Sequence, residues 1–278
     1  MQTKLDEAKA EMLERAARVA ENSPVGGNLP TGSTGEGSPD TPDSESTLAF
    51  LQRYYLHTAP EDLTDRDPVD AFGAAVSHYR LAESRPQGTA NVRVHTPTVE
   101  ENGWTCSHTV VEVVTDDMPF LVDSVTNELT RGGRGIHVVI HPQFVVRRDI
   151  TGKLLEILPT PATSVDPAEL PHDAHIESWI HVEIDRETDR ADLKQITSDL
   201  LRVLSDVREA VEDWDKMREA AARVAGELES EPVPADLPKA EVEEARELLR
   251  WLATDHFTFL GFREYELRGD DTLVAVPG

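Results

Sequence analysis

The chain has 278 residues, room for one large or two ordinary domains, and its 38% hydrophobic content is thin enough to leave part of it outside any core. Asp and Glu outnumber Lys and Arg 53 to 27, and the resulting charge of −26 argues against unaided binding to nucleic acid or anionic lipid, whose phosphates it would repel. A single cysteine, Cys106, excludes an internal disulfide framework and a Cys-rich zinc module, and suits a reducing compartment.

The N-terminus carries charges where a signal peptide needs apolar residues. No run nears the roughly eighteen apolar residues of a membrane span, so a cytoplasmic protein is expected. Within residues 1–21, Leu5, Met12, Ala16 and Val19 fall at helical spacing and predict an amphipathic helix. Residues 22–45 collapse into Pro, Gly, Ser and Thr, with Val25 and Leu29 the only apolar side chains, and predict a disordered linker. A helical segment is predicted over 46–90. Leu48, Leu51 and Tyr55 mark one helix face; Asp67-Pro68 should open a second helix that buries Phe72, Ala75, Val76 and Tyr79.

Over 91–187 the hydrophobic period becomes two. Val92 and Val94 alternate, and 108–115 is rich in β-branched residues. Asp116, Asp117 and Pro119 read as the cap and first turn of a helix carrying Phe120, Leu121, Ser124, Val125 and Leu129, stopped by Gly132-Gly133. Strands follow at 136–148, 154–158 and 178–184, with Gly152 as a turn. This order predicts an α+β fold with an antiparallel sheet. From 188 to 255, Leu193, Ile196, Leu200, Val203, Val207, Ala210, Trp214, Met217, Ala221, Val224 and Leu228 alternate steps of three and four. Such a coiled-coil-like seam predicts one helix about 60 Å long, with 242–252 folding back antiparallel against it. Residues 256–278 read as an apolar strand pair that begins a further domain.

The sequence holds no Gly-x-Gly-x-x-Gly, Walker loop or Gly-x-Ser-x-Gly elbow. Gly132 to Gly135 ends a helix rather than opening one. Cys106 beside a β-run reads as a small core residue before it reads as a nucleophile. His137 and His141 would sit on one strand face but about 13 Å apart, too far to share a metal. His172, Asp173, His175 and His181 lie closer, although polar loops commonly collect such residues. Asp116, Asp117 and Asp123 form a carboxylate group that helix capping largely explains. No catalytic residue and no metal ligand is therefore expected.

Two runs, Val113–Val125 (Val-Val-Thr-Asp-Asp-Met-Pro-Phe-Leu-Val-Asp-Ser-Val) and Phe257–Tyr265 (Phe-Thr-Phe-Leu-Gly-Phe-Arg-Glu-Tyr), together with Arg53-Tyr54-Tyr55 to Ala74-Ala75, carry a resemblance. They resemble the N-terminal part of the very large bacterial NAD-specific glutamate dehydrogenases, of actinobacterial type, from about Leu48 to Val276. The resemblance implies NAD as cofactor of the parent enzyme, none bound by this chain, and a catalytic region downstream. It also implies self-association with other subunits and an ACT-like module over 91–187, of the kind that often binds amino acids. Its candidate effector-binding residues are Asp117, Phe120, Asp123 and Ser124. Such modules commonly carry Gly where this chain has Phe120, whose bulk would plug the site. The alternative reading is a free-standing acidic coiled-coil adaptor; a small metal-dependent enzyme would rest on scattered histidines alone.

Overall fold

The computed structural model describes residues 2–22, 44–166, 169–230, 237–269 and 272–276. The linker expected over 22–45 falls almost entirely outside them. The chain divides into two units, Met1–Leu204 and Ser205–Gly278.

The first unit is an α+β sandwich. Its strands are β1 (Asn91–His95), β2 (Thr109–Asp116), β3 (Ile136–Ile140), β4 (Gln143–Arg148), β5 (Leu154–Pro161) and β6 (Ala174–Ile184). They run in the order β1-β2-β6-β4-β5, all antiparallel, with β3 also on β6. The expected single strand over 136–148 breaks at His141-Pro142. Proline has no N–H to give a ladder, but the Pro142 carbonyl accepts from Trp179 N at 3.0 Å, so β3 and β4 divide the long β6 between them.

Register sets the two faces. Glu112 lies opposite His181, Val114 opposite Trp179 and Asp116 opposite Glu177, so these share one face. Four helices cover it: α1 (Gln2–Asn22), α2 (Ser44–Tyr54), α3 (Pro60–Thr64) and α4 (Pro68–Ala82). Met12, Leu13, Ala16, Phe50, Leu51, Tyr54, Tyr55, Phe72 and Tyr79 pack with Val114, Phe144 and Trp179 in one core. Helix α4 begins as the sequence implies, with Asp67 capping Val69 N at 2.8 Å and Pro68 in the first turn. Lys9 ties α1 to the helical layer by donating to the carbonyls of Leu56 and Thr58, at 3.2 and 2.7 Å.

The other face bears Val111, Val113, Ile180, Val182 and Ile184, all fully buried. After a single turn, α5 (Val99–Asn102), and the strand β2 comes α6 (Leu121–Arg131), which meets β3 and turns Leu121, Val125 and Leu129 inward at steps of four. Gly132 caps it and Gly133 follows at φ 78°. On α7 (Arg190–Glu212) the buried stripe is Ile196, Leu200, Leu204 and Val207. It drifts with the 3.6-residue turn and bypasses half-buried Val203 of the heptad reading.

The expected uninterrupted helix instead pauses at Asp213. In the second unit α8 (Trp214–Ser230) then buries Met217, Ala220, Ala221 and Ala225 and packs on α9 (Lys239–Trp251). Ion pairs Arg250–Glu229 at 2.6 Å and Arg223–Glu264 at 3.4 Å join the segments in reverse order, as a fold-back requires. A π-helical turn (Leu252–His256) ends α9. Among the described residues, the strand pair expected within 256–278 is confined to β7 (Tyr265–Leu267), paired with β8 (Leu273–Ala275).

Candidate functional site

The chemistry of the first unit gathers where β2 runs into α6. The expectation that Asp116 and Asp117 cap this helix is not met. Its N-cap is Phe120, with φ 71° and no side-chain cap, and Phe120 O accepts from Ser124 N at 2.9 Å. Both aspartates have other partners. Asp116 Oδ1 accepts from Arg85 Nη2 at 2.6 Å, while Asp117 Oδ1 accepts from Ser178 Oγ at 2.5 Å and Gln143 Nε2 at 2.9 Å. Asp117 N extends the ladder to Ile176 O, fixing the carboxylate at the strand end.

Phe120 holds the only positive φ of any non-glycine residue described. An L-residue in this region costs about 1–2 kcal/mol. Phe120 lends no side-chain cap to the first N–H groups of α6, the groups by which a helix start can hold an anion. Beside them lies a cavity of about 260 Å³ lined by Asp117, Phe120, Leu121, Asp123, His141 and Gln143. That is just below the lower end of ligand cavities, about 300 Å³. Of the four residues predicted for an effector, Asp117, Phe120 and Asp123 meet here; Ser124 lies one step further along α6, outside the lining.

Ser178, outside the lining, bridges Asp117 and His141 in the polar wall. Ser178 gives its proton to Asp117, so His141 Nε2, 2.9 Å away, donates to Ser178 Oγ. Burial lowers the His141 pKa against the pull of Asp117, which keeps the ring neutral at neutral pH. The order carboxylate, hydroxyl, imidazole differs from the hydroxyl, imidazole, carboxylate chain of a hydrolase, so the imidazole does not act as the serine's base. The arrangement suits holding a polar ligand rather than activating a nucleophile.

Behind this wall stands a buried charge cluster. Glu177 accepts from Arg85 Nε and Nη2 at 2.9 and 2.5 Å, from Arg148 Nε and Nη2 at 2.6 and 2.9 Å, and from Trp179 Nε1 at 3.1 Å. Burial opposes its charge, but hydrogen bonds from His175 and Arg148 and the charges of Arg85 and Arg148 hold the carboxyl well below the usual range. The β4–β5 turn closes the cluster through Gly152, whose carbonyl accepts from Arg85 N and Arg148 Nη1. A Cβ there would sit 2.5 Å from the Arg85 backbone, at a φ of 88°.

Helix α4 lays His78, buried beside Tyr54, on the same sheet face. Its Nε2 meets the Val113 carbonyl at 3.0 Å, which only accepts, so Nδ1 takes the Tyr54 hydroxyl proton at 2.9 Å. Burial pushes the His78 pKa down to about 4. The loop histidines weighed for a metal are separated: Asp173 pairs with Arg147, His175 with Glu177 and His181 with Glu183. Cys106 is half-buried rather than in the core, and burial followed by the charge of Glu183 pushes its thiol up to about 11. At neutral pH it is a poor nucleophile.

A family model described as "Glutamate dehydrogenase, ACT1 domain" matches residues 50–200. The chain belongs to this family. The match runs from the end of α2 into α7, so it takes in α3, α4 and the sheet but not α1. Among curated proteins, the chain is similar to the NAD-specific glutamate dehydrogenase of Halomonas elongata, 39% identical over 221 residues, which is 80% of this chain and 13% of that protein. The enzyme of the same name from Pseudomonas aeruginosa is 35% identical over 78% of the chain and 13% of its own length. That of Mycobacterium tuberculosis is 31% identical over 67% and 11%. The chain thus spans about an eighth of the relatives it matches. No helix among its described residues is long and apolar enough to cross a membrane.

Proposed function

We propose that this chain is the regulatory and assembly region of a cytoplasmic NAD-dependent glutamate dehydrogenase. The parent reaction would convert L-glutamate, NAD and water to 2-oxoglutarate, ammonium and NADH. Hydride transfer and NAD binding would belong to a catalytic region outside these residues, and the chain would act by binding a small effector and other subunits. The uncapped start of α6 at the left-handed Phe120, opening on a carboxylate-lined cavity, carries this reading. An amino acid presents complementary groups: a carboxylate for the helix N–H groups and an ammonium for Asp117 or Asp123. The helical seam of α7 and α8 would serve self-association.

Calorimetric titration of the chain with a panel of amino acids tests the binding half. Saturable heat with at least one member, lost in Asp117→Asn, supports it; no heat with any member removes the effector role. Incubation with glutamate and NAD tests the other half. The expected result is no NADH, and turnover above the blank would place catalysis within these residues.

A further inference from the structure

Three side chains from two separate stretches converge at the far end of β6 from the cavity. Cys106, His108 and Glu183 each offer one ligand atom, and these atoms lie within 4.8 Å of one another. We propose that they form a site for a borderline-soft divalent cation, Zn²⁺ foremost, bound by thiolate, imidazole and carboxylate.

The donor set fits the ion. Zn²⁺ takes sulfur, imidazole nitrogen and carboxylate oxygen together, usually four-coordinate, so three protein ligands leave one position for water. Glu183 is divided between two tasks. Its Oε1 accepts from Arg66 Nη1 at 2.5 Å and faces His181 Nε2 at 3.3 Å, while Oε2 turns to His108 Nδ1 at 3.3 Å. Arg66 and His181 therefore orient the carboxylate from behind and present its second oxygen to Cys106 and His108, as outer partners do around metal ligands. His108 is held in turn. His137 stacks on its ring at 4.0 Å and 13°, and Asp185 anchors His137 at 2.8 Å.

Charge favours the cation: a thiolate and a carboxylate face it, the carboxylate already paired with Arg66 from behind, and Cys106 exchanges its thiol proton for the cation on binding. The position explains what the ion would do. The Cys106–His108 turn leads into β2 and Glu183 is the last residue but one of β6, so the cation would cross-link the loop to the central strand pair.

Co²⁺ is the probe, because a cobalt–thiolate bond gives a near-ultraviolet charge-transfer band and tetrahedral cobalt strong visible bands. Titration of the purified chain should produce both, with Zn²⁺ displacing Co²⁺ and bleaching them. Cys106→Ser should abolish the charge-transfer band, and His108→Gln should weaken Co²⁺ binding at least about tenfold, the lower end of what even outer partners contribute. His172→Gln should change nothing. No charge-transfer band in the unmodified chain overturns the site without any variant, as does equal Co²⁺ affinity in a folded His108→Gln chain, with folding checked by circular dichroism.

Discussion

Arg85 and Glu177 meet at 2.5 Å with both side chains wholly withdrawn from water, and Glu177 holds Arg148 on its other side. Burying ions costs several kcal/mol each, so such a cluster adds little net stability over apolar packing. Its weight shows when one member is removed. Glu177→Gln leaves two guanidinium groups short of a counter-charge, and we expect a loss of about 3–5 kcal/mol. The urea midpoint of the chain measures it, and a shift within error would mean the arginines find other partners.

Acid should weaken the fold through Glu112. Burial works against its charge, yet His95, its Nε2 3.4 Å from Oε2, and Arg93, donating at 2.6 Å, prevail and hold its pKa at about 2, against an ordinary 4.5. A group depressed on folding lends stability that is complete above its unfolded pKa and is lost as pH falls through the folded one. The Glu112 contribution should thus be whole above about pH 4.5 and vanish towards pH 2. Urea midpoints measured across that window should fall less steeply in Glu112→Gln than in the unmodified chain.

Phe120 separates backbone strain from side-chain bulk. At φ 71° both Phe and Ala bear the left-handed penalty, whereas Gly does not. Phe120→Gly should therefore be more stable than Phe120→Ala by about 1 kcal/mol. Equal melting temperatures would show that the α6 junction relaxes once the ring is gone. Phe120→Gly should also widen the cavity and tighten any amino-acid binding seen by calorimetry.

Docking of α1 can be probed at Ala16, fully buried against the helical layer. Ala16→Glu would drive a carboxylate into that contact, so the helix should come away. Hydrogen exchange should then speed up in α1 amides and leave those of β2 and β6 protected. Unchanged protection in α1 would mean the contact adapts to the charge.

Local chemistry made much of the fold legible. Asp67-Pro68 started a helix and Gly132-Gly133 stopped one because capping and left-handed turns depend on a few adjacent residues. The α6 start was misplaced because Asp116 and Asp117 answer to Arg85 and Ser178, 31 and 61 positions away. No local rule sees such partners. The polar face of β6 escaped for the same reason: His175, Glu177, His181 and Glu183 look like a solvent face until buried Arg85 and Arg148 and half-buried Arg66 are known to meet it. For the cavity, resemblance pointed to Asp117, Phe120 and Asp123, but His141 and Gln143 arrive through a strand break that Pro142 alone announced. Cys106 and His108 lie two apart, yet their third companion is seventy-five residues on from His108, so spacing could not join them.

The arginines paired to buried acids have a price at the surface. Arg66, Arg85, Arg93 and Arg148 are matched by Glu183, Glu177, Glu112 and Asp116, a neutral set that leaves the whole charge of −26 on the rest of the chain. Two copies of this chain approach one another as like-charged bodies, repelled until mobile ions intervene within a screening distance of about 8 Å at physiological ionic strength. Any pairing between them would then be apolar in its attraction and salt-assisted in its formation. Adding salt would draw copies together, the reverse of a contact held by surface ion pairs.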